Sequence, residues 1–218
     1  MKSSFSVVIA GLVLFFCVPA ARADIGINPR VGFLGYGIEV SAGVSDRLSL
    51  GVGLNNARRK RQDTTEGVDY EYDLRLRSGE VMANFHPFAG AFRLRAGALL
   101  NRNEFILTGR PGGSGTYDFN GTTYTAAQVG TLTGKLSFNK SAPYLGLGWG
   151  NRPNGSWGVT FDLGAVHQGK PKLALEATGA AADPALAANL EAERQQAEED
   201  LSSFKWYPVI QLGLYFRF

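Results

Sequence analysis

The last twelve residues, YPVIQLGLYFRF, put Pro208, Ile210, Leu212, Leu214, Phe216 and Phe218 in one row and Tyr207, Gln211, Gly213, Tyr215 and Arg217 in the other. A period of two is that of a β-strand with one apolar and one polar face. In a soluble sandwich the apolar row would meet a protein core. A chain that ends on an aromatic residue, with Tyr and Trp flanking the row, points instead to a strand with lipid outside and a polar lumen inside, and to a final strand that barrel-assembly machinery can read.

The start of the chain agrees. Lys2, an almost wholly apolar run over residues 7–18, and Ala21-Arg22-Ala23 have the three parts of a secretory signal, so residues 1–23 are expected to be cleaved and Asp24 to begin a barrel of residues 24–218. That apolar run is shorter than the roughly 20 residues a spanning helix needs. Cys17, the one cysteine, falls in the leader behind Phe15 and Phe16, so the mature chain is expected to carry neither disulfide nor lipid anchor. The leader also holds Lys2 and Arg22, which leaves 20 basic against 19 acidic residues and a mature net charge of +1. Such a balance gives no reason to expect a nucleic-acid partner.

Eight segments alternate like strands: residues 25–33, 36–44, 48–55, 70–85, 92–101, 135–150, 157–165 and 205–218. The apolar parity shifts after Ser78-Gly79, from Tyr70, Tyr72, Leu74 and Leu76 to Val81, Ala83 and Phe85, which predicts a bulge there. Short connections at residues 45–47, 86–90 and 151–155 alternate with longer ones, the pattern of periplasmic turns and external loops. The expected fold is all-β: an eight-stranded antiparallel transmembrane barrel with long extracellular loops. Among these loops are the polar stretch ARRKRQDTTEGVD, a hairpin at Asn120-Gly121, and a short amphipathic helix capped by Asp183 and begun at Pro184. Pro29 lacks a ladder donor and weakens the first strand.

Inward parity assigns Glu39, Glu80, Arg93, Arg95, Asp162, Gln211 and Arg217 to the lumen, with Asp73, Arg75 and Arg77 nearer the external mouth. An eight-stranded interior is either filled by side chains or holds one small ligand, so these charges must pair or be hydrated. The run Arg58-Arg59-Lys60-Arg61 falls just above the outer boundary, within reach of lipopolysaccharide phosphates. No catalytic residue is expected. The only histidines are His86, beside Pro87 in a turn, and His167, which strand parity points away from Asp162. No cofactor is expected, and with no clustered ligands no metal either. The glycines Gly109, Gly112, Gly113 and Gly115 lack the strand-to-helix context of a phosphate loop.

Four longer blocks carry a resemblance: NGTTYTAAQVGTLTGKLSF at residues 120–138, APYLGLGWG at 142–150, SWGVTFDLGAVHQGKPKLAL at 156–175, and KWYPVIQLGLYFRF at 205–218. Together they make residues 32–218 resemble the small outer-membrane barrels of the CarO type, associated with uptake of ornithine and other small amino acids. What the resemblance implies is a narrow channel for small or basic amino acids. A lumen shut by salt bridges would favour the alternative, a non-transporting surface protein serving adhesion or envelope integrity.

Overall fold

The computed structural model describes residues 24–65, 67–111, 115–150 and 156–218; the expected leader, the turn at 151–155 and the glycines at 112–113 lie outside the described residues. The strands are β1 (Ile25–Gly32), β2 (Gly35–Ser45), β3 (Leu48–Thr65), β4 (Val68–Phe85), β5 (Arg93–Asn101), β6 (Glu104–Pro111), β7 (Thr116–Phe119), β8 (Thr122–Thr125), β9 (Leu132–Ser137), β10 (Ser141–Trp149), β11 (Trp157–His167), β12 (Lys172–Ala177) and β13 (Trp206–Arg217). Two α-helices, α1 (Ala126–Val129) and α2 (Pro184–Asp200), and two 3-10 turns, Thr178–Ala181 and Leu201–Ser203, complete the described elements.

Strands β1, β2, β3, β4, β5, β10, β11 and β13 pair in that order, each antiparallel to the next, and β13 returns to β1 to close an eight-stranded barrel. Closure leaves no open edge among these strands, which is what a lipid solvent demands of a sheet. The terminal strand behaves as its alternation implies. Ile210, Leu212, Leu214 and Phe216 are exposed on the outside, while Val209, Gln211 and Tyr215 are buried inside. The same outward belt continues through Val81, Leu145 and Val159, with Trp149 and Trp157 at the periplasmic rim. Apolar side chains laid bare on every wall have lipid as their solvent, so the chain is an outer-membrane barrel.

Pro29 does not break β1. It faces outward opposite Ile38 of β2, and the ladder to β13 skips Asn28 and Pro29, where the missing N–H would have been needed.

Three expectations change above the barrel. The polar stretch 57–69 is no loop: β3 runs on to Thr65 and β4 begins at Val68, in unbroken register from Leu48↔Phe85 to Thr65↔Val68. Residues 135–150 are two elements, β9 and β10, separated at 138–140. No bulge lies at Ser78-Gly79 either. The apolar parity of β4 switches because its surroundings switch while the strand stays regular. Below Ser78 the outward face meets lipid, and above it the inward face meets a second protein core. As a result Asp73, Arg75 and Arg77 share the outward face with Val81 and Phe85, and Arg75 and Arg77 are not lumen residues.

That second core belongs to an extracellular lobe. The upper halves of β3 and β4 continue through β6, β9 and β12 as an open sheet, with β6 taking the place beside β4 that β5 holds lower down. The β7–β8 hairpin turns at Asn120-Gly121, where φ is +50° and +74°, the left-handed pair that Asn and Gly accept at least cost. Val68, Tyr117, Phe119, Tyr124, Val129 and Leu132 pack there with Leu186 and Leu190 of α2. Asp183 caps α2, its Oδ1 accepting from the N–H groups of Ala185 (2.9 Å) and Leu186 (3.1 Å). Glu198 ties α2 to β12 by accepting from the Leu173 N–H at 2.8 Å.

Candidate functional site: an ion-paired lumen

Alternation along β1, β2, β4, β5 and β11 aims Arg30, Glu39, Glu80, Arg93, Arg95 and Asp162 at the barrel axis, and their side chains are all 2% exposed or less. Arg95 is the hub. Its guanidinium donates to Glu80 at 2.7 Å, to Asp162 at 3.1 Å, and to Glu39. Arg30 binds Glu39 at 2.9 Å and also Glu80. Arg93 binds Asp162 at 2.6 Å and donates to the Gly150 carbonyl at 2.9 Å. Three cations therefore face three anions, and the buried charge sums to zero. Charges this far from water persist only when so compensated.

Neutral groups extend the network. Asn55 donates to Glu80 (3.1 Å) and Ser78 (3.3 Å), and accepts from Gln211 at 3.3 Å. Thr160 donates to Asn28 at 3.2 Å. Glycines on facing strands make the room: a Cβ at Gly53 would stand 2.8 Å from an Arg30 nitrogen, and one at Gly148 would stand 2.7 Å from Arg93 Nε. Beside the ions, Leu34, Met82, Leu99, Ala142, Tyr144, Val166 and Val209 form an apolar cluster, with the Arg95 guanidinium 5.9 Å from the Tyr144 ring centre. Two donors, Arg30 Nε and Arg93 Nε, have no protein partner among the described residues although both are buried. Polar groups so placed call for water or a polar solute.

The structure thus gathers six of the parity-assigned lumen residues, Glu39, Glu80, Arg93, Arg95, Asp162 and Gln211, into one network. Arg217 sits apart, paired with Asp24 at the periplasmic rim. Arg30, a full member, escaped the sequence reading because Pro29 cast doubt on β1, yet its place one residue after an outward proline in an alternating run was a usable signal. Asn28, Asn55, Ser78 and Thr160, also in the network, were not assigned from the sequence.

The basic run divides by parity. Arg58 binds Asp73 at 2.7 Å and Lys60 binds Glu71 at 2.6 Å on the outer face, while Arg59 and Arg61 take the opposite face of β3. Asp73 also holds Arg75 at 2.7 Å, and these two guanidiniums keep its carboxyl well below the usual carboxylate range. His86 is buried below β4, and the His167 ring lies 4.7 Å from that of Trp206.

No protein-family model and no curated protein matches the sequence. Among solved structures, CarO2 of Acinetobacter baumannii aligns with a TM-score of 0.61 at 24% identity, over 90% of this chain and 99% of that one. CarO of the same organism aligns with a TM-score of 0.60 at 26% identity, over 89% of this chain and 98% of that one. The fold bears out the resemblance seen in the sequence: this is an eight-stranded outer-membrane barrel similar to CarO and CarO2.

Proposed function

We propose that the barrel is a non-enzymatic, normally shut conduit for small zwitterionic or cationic amino acids, with the six-ion lumen as its selective element. The observation that carries this reading is a charge-balanced network that still holds two guanidinium N–H donors without a partner among the described residues. A zwitterion brings one ammonium and one carboxylate. That α-ammonium and α-carboxylate, which cationic amino acids also carry, can stand in for both halves of an internal ion pair, whereas a neutral sugar cannot repay the broken pairs. Proteoliposome swelling with glycine, ornithine and a neutral sugar tests it: faster swelling with the two amino acids is expected.

The extracellular lobe favours a second reading. It has its own apolar core and a capped helix, more structure than a loop needs to join two strands. If verified, folded barrels show no swelling with any of the three solutes, the conduit is excluded and a surface role in adhesion or envelope integrity stands.

A further inference from the structure

We propose that the outer wall carries a binding site for a phosphorylated, acylated saccharide lipid of the outer leaflet, centred on Gly79 and separate from the Arg58–Arg61 run. One outward row crosses the barrel strand by strand: Pro29↔Ile38↔Leu54↔Gly79↔Leu100↔Ser141. Gly79 is its low point, since a Cβ there would stand 3.7 Å from Leu54 Cδ2 and 3.9 Å from Leu100 Cβ. Immediately above lie Tyr36, Asn56, Arg77 and Arg102, with Asn56 Nδ2 donating to the Tyr36 hydroxyl at 3.4 Å and the Arg102 N–H to the Arg77 carbonyl at 2.9 Å. These residues line a single recess, closed at one side by Lys140. It forms where β5 and β6 part company beside β4.

Its chemistry changes with height. The floor is aliphatic, with Leu54 66% exposed, and the rim is cationic. The rim is near the Leu34-Gly35 turn, at the outer end of the barrel. Four neighbouring cations on this face are already ion-paired: Arg58 and Arg75 share Asp73, Lys60 holds Glu71, and Lys135 holds Glu104. Arg77, Arg102 and Lys140 make no ion pair among the described residues. An acyl chain suits the floor, and phosphates on a saccharide head suit the three cations, two of which can engage a phosphate through paired N–H donors. A zwitterionic phospholipid would leave most of that positive charge unanswered.

Native mass spectrometry of the whole barrel released from detergent, with bisphosphorylated lipid A, dephosphorylated lipid A or phosphatidylglycerol as probe, tests the assignment. One lipid A is expected to stay bound, with affinity falling about tenfold or more on removing the lipid's phosphates or in the triple variant Arg77→Gln, Arg102→Gln, Lys140→Gln. Gly79→Leu, which fills the floor and leaves the cations in place, is expected to weaken lipid A as well. The pair Arg58→Gln, Lys60→Gln is expected to bind like the parent. Equal retention of all three lipids, an unchanged triple variant, or equal loss in the Arg58/Lys60 pair would overturn the site. Heat-modifiable gel mobility reports folding, and if the triple variant fails that check, an unchanged Gly79→Leu decides against the proposal.

Discussion

Replacing Arg95 by alanine removes one guanidinium from three carboxylates at once. What stays in the lumen is Arg30 and Arg93 against Glu39, Glu80 and Asp162, an excess of one buried negative charge. Breaking a buried pair by deleting one partner costs about 3–5 kcal/mol, because the survivor keeps its desolvation penalty without its compensation. With a urea slope of about 2 kcal/mol/M for a protein of this size, the unfolding midpoint in lipid vesicles should fall by about 1.5–2.5 M. Trp149, Trp157 and Trp206 all face outward and report loss of the lipid contact by fluorescence. A second variant checks the cause: Arg95→Met with Glu80→Gln restores charge balance, and should recover part of the loss as a positive coupling in a double-mutant cycle. A midpoint shift under about 0.5 M for Arg95→Ala would refute the reasoning, since it would mean that water already solvates these carboxylates and that the guanidinium contributes little.

Removing both lumen arginines of β5, by Arg93→Ala with Arg95→Ala, should raise conductance in planar bilayers and turn selectivity toward cations; unchanged conductance and ion preference would take these arginines out of the conduit. Asp183→Ala should cost α2 about 1 kcal/mol through loss of its N-cap, seen as faster amide exchange in the first turn of α2 with the barrel amides unaffected. In α2, Arg194 pairs with Glu191 at 2.6 Å and holds the Glu191 carboxyl at about 2. A carboxyl whose folded value is lowered stabilises the fold above its ordinary value near 4 and loses that contribution as pH falls toward 2. Carbon-13 NMR titration of Glu191 should find its midpoint there, and a midpoint near 4 would dismiss the pair. Asp73→Asn should release Arg58 and Arg75, read as increased amide exchange in the upper halves of β3 and β4 at neutral pH while the lower halves keep their protection.

The barrel was legible because lipid and lumen impose opposite demands on alternate residues, and a period of two survives in the sequence even where Gly replaces a larger side chain. Six lumen members followed from that parity alone. Arg30 was lost to a local rule about proline in strands, which holds for a paired N–H and not for the gap that β1 leaves at Pro29. The lobe was hidden for a different reason. ARRKRQDTT has the composition of a loop, and only its pairing with residues 68–76 makes it a strand. Pairing is a long-range fact that a local window does not contain. The supposed bulge at Ser78 was a correct reading of a real discontinuity, assigned to the backbone when it belonged to the surroundings.

Strands β3 and β4 cross from the lipid-facing wall into the lobe without a break in register. The two parts of the molecule therefore share a stiff two-stranded shaft in place of a hinge, and one of its strands carries Glu80 on the lumen side. The lobe core, with α2 and the β7–β8 hairpin, packs on that shaft at Val68, so the strand that anchors the surface lobe is the same one whose Glu80 both Arg30 and Arg95 grip.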